Sequence, residues 1–195
     1  GMHAYKGFNA DLTCTCGNGK FQYRIGETIK EGYSKAQRTG AHCAENPLEC
    51  LRWYPLGCGN RYFLVDASGS LDELGGDDTQ LACTEMTLLK ELSLKEFAGH
   101  AMMYMVRHPL RAWEMERSHI SVRRDRAEAG CDGSIAIARG PSPMVRGREG
   151  AILGLIREED GTIKDAKLFE VKGDIRPDTW YGLEDREPKE VSHEA

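Results

Sequence analysis

The stretch GSIAIARGPSPMVRGREGAILG, residues 133–154, carries a glycine at every seventh position. These glycines are Gly133, Gly140, Gly147 and Gly154. An α-helix is excluded here, because the recurring glycines and two prolines would break it. Short strands joined by turns fit the spacing, since glycine adopts turn conformations that other residues resist. The spacing therefore predicts a short β-roll or solenoid-like segment of stacked strands.

Each seven-residue interval also carries two adjacent apolar residues. The pairs are Ile137 and Ala138, Met144 and Val145, and Ala151 and Ile152. Neighbouring residues of a strand face opposite sides of a sheet, so these pairs predict burial on both sides. Solenoids need about three repeats to bury a continuous core, so this segment needs cover from the N-terminal part, a closing hairpin or another copy. We expect a homo-oligomer, with a trimer as one form and no protein partner identified.

Residues 133–154 resemble a known repeat. GSIAIARG is similar to the S-x-A-x-G repeats in the head domains of trimeric autotransporter adhesins. In those proteins a coil of two such heptads builds a left-handed β-roll, and three chains associate. The likeness ends at SPMVR, so it implies local geometry and not adhesion, which would also need a signal peptide and a membrane anchor.

Upstream of the glycine repeat, the sequence predicts mixed secondary structure. AYKGFNADLTCTCGNGKFQYRIGETI breaks short apolar runs with Asn, Asp and Gly, which is typical of strands with tight turns. Asn46 can cap a short helix that Pro47 begins. NRYFLVDASG is rich in residues that favour strands. QLACTEMTLLKEL fits either a strand or a helix, and the alternation of Leu81 and Cys83 with polar residues favours a strand through Leu88.

Residues 93–113 predict two helices. Ser93 and Glu96 form a capping box ahead of apolar residues spaced by three and four, which predicts an amphipathic core helix. Those apolar residues are Leu94, Phe97, Ala98, Ala101, Met102 and Met105. Pro109 predicts the start of a second helix with Leu110 and Trp113 on one side. Further on, AILGLIREEDGTIKDAKLFEVKGD predicts a hairpin about Asp160 and Gly161.

Together these elements predict an α+β fold in three parts. Residues 2–117 form a mixed N-terminal domain of helices and strands, and residues 118–157 form the β-roll-like segment. Residues 158–195 supply a closing hairpin and a charged tail.

A second resemblance spans most of the chain. The order AYKGF, C, GKFQY, GxxCAENPLxxLxxYP and NRYxxV is similar to an uncharacterised family found in phages and bacterial genomes. Members of that family close with K-P-D-T-W-Y, which here is RPDTWYGL at residues 176–183. The chain departs from the usual GFHFCENP, with GAHCAENP in its place. The resemblance implies an architecture and a phage or prophage origin, and it assigns no activity.

The net charge of −5 hides a basic stretch. Residues 107–148 hold nine Arg, no Lys and five acids, or +4, while the remaining 17 basic and 26 acidic residues give −9. Such a stretch can bind an anion, a nucleic acid or an acidic surface, or pair with acids of the same chain. The candidate anion-binding residues are Arg123, Arg124, Arg126, Arg146 and Arg148. Nucleic acid is disfavoured, because no aromatic platform is interleaved with these arginines.

The seven cysteines come without an export signal, which favours free thiols in a reducing cytoplasm. The sequence contains no run of 18 apolar residues, so it predicts no membrane-spanning helix. Zinc takes thiolates and imidazoles such as those of Cys14, Cys16, His42–Cys43, Cys50 and Cys58. Their spacing lacks paired C-x-x-C knuckles, so we expect no metal and no cofactor.

No phosphate-binding loop, dinucleotide fingerprint, G-x-S-x-G or H-E-x-x-H motif occurs in the chain. We therefore expect a non-catalytic binding or assembly module. The alternative is a nucleotide-handling enzyme on the N-terminal domain, which would resemble ADP-ribosyltransferases without their Ser-Thr-Ser or Gln/Glu-x-Glu motifs. Its candidate binding residues are Tyr5, Lys6, His42, Glu45 and Asn46, and no residue is assigned as catalytic.

Overall fold

A computed structural model describes residues 1–14, 21–22, 24–26, 28–30, 41–73, 79–131 and 133–191. In these ranges there are fourteen strands, one α-helix and one 3-10 helix. The fold is thus mostly β, and the predicted α+β class is wrong. The chain forms two compact units, residues 1–93 and 94–195, so the expected boundary at residue 117 falls inside the second unit.

The first unit is built on an antiparallel sheet. Its strands are β1 (Met2–Phe8), β4 (Thr28–Lys30), β5 (Ala41–Ala44), β6 (Arg61–Glu73) and β7 (Gln80–Leu92). Both β1 and β7 pair with β5 and with β6, so these four strands close into a small barrel, and β4 adds to β7. A separate short pair is formed by β2 (Thr13–Cys14) and β3 (Phe21–Gln22).

A 3-10 helix, Pro47–Arg52, follows β5. Asn46 caps it, because its side-chain oxygen accepts a hydrogen bond from the Leu48 amide at 3.1 Å. The cap and the position of Pro47 confirm the predicted start of this helix.

The second unit begins with α1 (Leu94–Arg107). The buried side chains of α1 include Phe97, Ala98, Ala101, Met102 and Met105, which confirms the predicted core face. The second helix predicted from Pro109 is wrong, because residues 108–114 form turns and loop. Leu110 is 93% exposed, and the Pro109 carbonyl accepts a hydrogen bond from Arg139 at 2.7 Å. The loop is therefore held by a polar contact and not by an apolar helix face.

The rest of the second unit is a seven-stranded sheet. Its strands are β8 (Met115–Arg117), β9 (Ile120–Ala129), β10 (Ile135–Gly147), β11 (Ile152–Glu159), β12 (Thr162–Glu170), β13 (Tyr181–Glu184) and β14 (Glu187–Glu190). The central strand β10 runs parallel to β9 and β11 and also pairs with β13. The hairpin of β11 and β12 turns at Asp160 and Gly161, both with positive φ, which confirms that prediction.

The parallel strands do not follow the seven-residue spacing of the glycines. Ile120, Ile135 and Ile152 are successive neighbours across β9, β10 and β11. The sequence separation between paired residues of neighbouring strands is therefore longer than two heptads. It is also different from β9 to β10 than from β10 to β11. Gly154 pairs with Ile137 instead of with another glycine of the series.

The four glycines meet four different local demands. Gly133 lies in a turn with φ +68. A Cβ on Gly140 would strike the carboxylate of Asp125, and one on Gly154 would lie 2.6 Å from the Met102 sulfur. At Gly147 it would lie 2.8 Å from the Ala151 Cβ. The regular spacing therefore does not mark one repeated structural position.

Five of the six paired apolar residues are buried within a single chain, and the sixth, Met144, is half-buried. On one face of the sheet, Ala136 and Leu153 belong to a buried cluster with Phe169 and Tyr181. On the other face, Gly154 lies against Met102 of α1. Other parts of the second unit therefore cover both faces of β10 and β11, as the paired apolar residues predict.

We predict that Gly147→Ala destabilises the second unit by about 1–3 kcal/mol, the usual cost of overpacking. The added methyl would meet Cβ atoms of Ala129 and Ala151, which are fixed to the backbone. Gly130→Ala is the matched control, because nothing lies within 4 Å of its Cβ position. Urea denaturation of both variants measures the difference, and equal free energies of unfolding would contradict the close packing at Gly147.

Candidate functional site

An open cleft of about 590 Å³ lies along β9 in the second unit. Its lining residues are Glu116, Ser121, Arg123, Arg124, Asp125, Arg126, Ala127, Glu128 and Trp180. Six of them are consecutive, from Arg123 to Glu128. A regular strand would turn every second side chain away from such a surface, and Ala127 does belong to the buried cluster. Arg123, Arg124 and Asp125 are nevertheless all exposed, so β9 departs from regular geometry there.

That departure is a break in register between β9 and β10. Arg124 pairs with Arg139, but Arg126 pairs with Met144, so residues 140–143 of β10 stand opposite Asp125 alone. Asp125 has φ +69, and its carboxylate packs against Gly140. An irregularity of this kind re-aims neighbouring side chains, which explains how consecutive residues of β9 line one cleft.

Two tryptophan rings support arginines of the cleft. The Arg124 guanidinium lies 5.4 Å from the centre of the Trp113 ring. The Arg126 and Arg146 guanidiniums lie 5.4 and 4.7 Å from the centre of the Trp180 ring. Guanidinium groups at such distances are attracted to the aromatic ring. The rings therefore restrict where these guanidinium groups can go.

Arg124 and Arg126 keep their N–H donors available. Within the described parts of the chain, neither guanidinium donates a hydrogen bond to the protein or pairs with an acid. A stacked guanidinium still presents its N–H groups at its edge, where they can grip an oxyanion with two parallel bonds. These two side chains can therefore bind an anion without first breaking an ion pair.

Three carboxylates also line the cleft, and two of them are engaged. Glu116 accepts a hydrogen bond from the Ser121 hydroxyl at 2.5 Å and lies 3.4 Å from Arg123. Glu128 accepts one from Arg146 at 3.0 Å. Asp125 lies between Arg124 and Arg126 in the chain, and no ion pair to it occurs among the described residues. The lining thus balances three guanidiniums with three carboxylates.

Trp113 also lies next to a buried ion pair between Arg139 and Glu158. Arg139 is 1% exposed and donates two hydrogen bonds to the Glu158 carboxylate, both at 2.8 Å. Its guanidinium also lies 4.9 Å from the Trp113 ring centre. The hydrogen bonds from Arg139 lower the pKa of Glu158. Among the described residues, the remaining Arg139 nitrogen, Nη1, has no hydrogen-bond partner.

We predict that Glu158→Gln costs about 3–5 kcal/mol of stability, because it leaves a buried guanidinium uncompensated. The matched control is Glu159→Gln on the same strand, whose partner Arg157 lies at 2.9 Å on the surface. That exposed pair is worth about 0–1 kcal/mol. Chemical denaturation at pH 7 measures both losses, and a Glu158→Gln loss as small as that of the control would contradict the buried pair.

The same pair predicts a dependence of stability on pH. The pKa of Glu158 is lowered on folding, so the pair contributes fully above the unfolded value, about 4.3. That contribution is lost as the pH falls through the lower folded value. The acid-induced loss of stability in the wild type should therefore be smaller in Glu158→Gln.

The five binding candidates of the first unit lie on or next to two neighbouring strands. β1 and β5 are antiparallel, with Tyr5 opposite Ala44. Lys6 is 4% exposed, and its ammonium donates to the His42 carbonyl at 2.7 Å. Tyr5 and Lys6 are adjacent on β1, so their side chains face opposite sides of the sheet. The two residues do not form one surface.

The other two candidates of the first unit make local contacts through their backbone amides. The Glu45 amide donates to the Thr79 carbonyl at 3.2 Å, and the Asn46 amide donates to the Thr79 hydroxyl at 2.8 Å. Together with the helix cap of Asn46, these contacts tie residues 45–46 to the start of β7.

Three buried thiols lie near Lys6. A hydrogen bond between Cys43 and Cys83 raises the pKa of Cys43 and lowers that of Cys83, which the Lys6 charge lowers further. Burial raises the pKa of Cys50 to about 12. These side chains are at most 5% exposed, so they are part of the core of the first unit.

Of the five predicted anion-binding residues, Arg123, Arg124 and Arg126 line the cleft, and Arg146 stacks on its tryptophan. Arg148 lies 4.0 Å from Asp178 on an exposed surface. Trp113 and Trp180 were not predicted as site residues. Trp113 lies eleven residues before Arg124, and Trp180 lies 34 residues after Arg146, so no local pattern joins either ring to its arginines.

The described residues contain no group of three His, Cys, Asp or Glu side chains able to hold a metal ion. Cys16, one of the thiols considered for zinc, lies outside them. No helix in the described ranges is both long and apolar enough to cross a membrane.

A family model described as Domain of unknown function (DUF7666) matches residues 2–100, just over half of the 195 residues. The match covers the first unit and part of α1, whereas the residues of the cleft lie beyond it. No curated protein and no solved structure matches the chain.

Proposed function

The chain belongs to the DUF7666 family, and we propose that it is a non-catalytic binding module whose second unit recognises an anionic ligand. The observation that carries this proposal is the pair of guanidiniums of Arg124 and Arg126. Each lies over a tryptophan ring, and neither forms a hydrogen bond or ion pair with an acid among the described residues, although the Arg124 charge helps to lower the pKa of Glu158.

The ligand would carry a phosphate, sulfate or carboxylate group. Such groups match the planar, forked donors of arginine. Stacking on Trp113 and Trp180 fixes the guanidiniums before the ligand arrives. Less side-chain freedom is then lost on binding, which favours affinity.

The chemistry of the lining supports binding over catalysis. The lining holds no cysteine and no histidine. Its one hydroxyl, on Ser121, already donates to Glu116. A nucleophile normally needs a neighbouring base that is free to take its proton, and Glu116 is also close to Arg123.

The cleft is complete within one chain, since β8, β9 and Trp180 all belong to the second unit. The proposal also includes a reducing cytoplasm, which is supported by five described cysteines that are not in a disulfide. A phage or prophage origin, implied by the sequence resemblance, belongs to the same proposal.

We predict that Arg124→Gln and Arg126→Gln each weaken binding of inorganic pyrophosphate by at least about tenfold. A hydrogen bond to a charged group contributes about 1.5–3 kcal/mol. Binding is followed by tryptophan fluorescence at low ionic strength, because Trp113 and Trp180 are in contact with these arginines and salt screens exposed charges.

Arg52→Gln is the matched control, since Arg52 lies 5.3 Å from the ring centre of Trp53 in the first unit. This variant removes an arginine stacked on a tryptophan away from the cleft, so it should bind pyrophosphate like the wild type. If pyrophosphate does not bind, or if all three variants lose affinity equally, the proposed function is wrong.

A further inference from the structure

We propose that the cleft selects a hydroxylated anion, a sugar phosphate or a sugar acid, over a simple anion of the same charge. This inference rests on the function proposed above and names the class of its ligand. The inference depends on Asp125, which lies between Arg124 and Arg126 in the chain and lines the same cleft.

Asp125 is held in place by its backbone and by Gly140. Its left-handed φ of +69 sets the direction of the Cα–Cβ bond at the register break. The carboxylate fills the space that a Cβ on residue 140 would need, so Gly140 makes room for it. A negative charge is therefore built into the part of the surface where an anion would bind.

A purely anionic ligand, such as pyrophosphate or methyl phosphate, would bind through the arginines but less tightly, because this carboxylate repels it. A ligand that places a hydroxyl group there would instead donate a hydrogen bond to a charged acceptor, which is among the stronger hydrogen bonds in proteins. Its anionic group would accept bonds from Arg124 or Arg126. One ligand with both groups satisfies all three side chains.

The donor is better supplied by a hydroxyl than by an ammonium group. Arg124 and Arg126 line the same cleft as Asp125, and their positive charges would repel a second cation. A neutral hydroxyl avoids that repulsion. The cleft of about 590 Å³ is also within the size range of small-molecule sites, about 300–1,000 Å³.

The test compares matched probes by isothermal titration calorimetry on the full chain. Glucose 6-phosphate is compared with methyl phosphate, and glucuronate is compared with acetate, so each pair differs mainly in its hydroxyl groups. We expect at least one hydroxylated probe to bind about tenfold or more tightly than its simple partner, the effect of a hydrogen bond to a charged group. The pair that shows this preference distinguishes a phosphate from a carboxylate ligand.

Asp125→Asn should abolish most of that preference and should bind methyl phosphate more tightly than the wild type does. Asparagine tolerates the left-handed backbone, so the variant keeps the local fold. Asp160→Asn is the matched control, because Asp160 has φ +52 in an exposed turn that does not line the cleft. It should keep the preference of the wild type.

The outcomes separate the two proposals. Equal binding within both probe pairs, or a preference that survives in Asp125→Asn, overturns the hydroxylated ligand. If methyl phosphate still binds in either case and Arg126→Gln weakens it, the anion site stands. If none of the four probes binds, both proposals are wrong.

Discussion

A guanidinium group that is removed from water must be neutralised where it lies, and Arg139 imposes that constraint on the second unit. Its side chain is 1% exposed. Glu158 of β11 accepts two of its hydrogen bonds, and the Pro109 carbonyl after α1 accepts a third. Three segments that are far apart in sequence must therefore meet at one point, because leaving the charge unpaired would cost several kcal/mol (~3–5).

The same contact explains the loop after α1 and one side of the candidate site. Once Pro109 is bound to Arg139, residues 108–114 remain a loop in which Trp113 can reach the Arg139 guanidinium at 4.9 Å. Trp113 in turn supports Arg124. The exposed arginine of the cleft thus depends, through one aromatic ring, on an ion pair that is itself buried.

Local sequence patterns predicted the parts of this fold that depend on nearby residues. The apolar face of α1, the Asn46 cap and the turn at Asp160 all arise from residues within a few positions of each other. The closure of the barrel by β6 and β7 and the stacking of β9, β10 and β11 depend on pairing between distant strands, which no local pattern encodes. The predicted class had too much helix because Pro109 suggested a second helix, whereas residues 108–114 form a loop whose Pro109 carbonyl bonds the distant Arg139.

The glycine spacing shows the same limit. It identified the segment that becomes β10 and its parallel neighbour, but not the interval at which they stack, because each glycine meets a different neighbour. At the candidate site, charge clustering found Arg123, Arg124 and Arg126. The tryptophans were missed because they join the arginines only through the folded sheet.

Opposite charges lie side by side in the cleft because the tryptophans keep them from neutralising one another. An unrestrained arginine next to Asp125 would turn towards it, gaining about 0–1 kcal/mol as an exposed ion pair. Attraction to an aromatic ring is worth about 0.5–1 kcal/mol at exposed sites, enough to compete with that pairing. Stacking on Trp113 and Trp180 therefore leaves donors on Arg124 and Arg126 and an acceptor on Asp125 available together. On the proposed function, such a surface would select ligands by the pattern of their groups, since its lining holds three positive and three negative side chains.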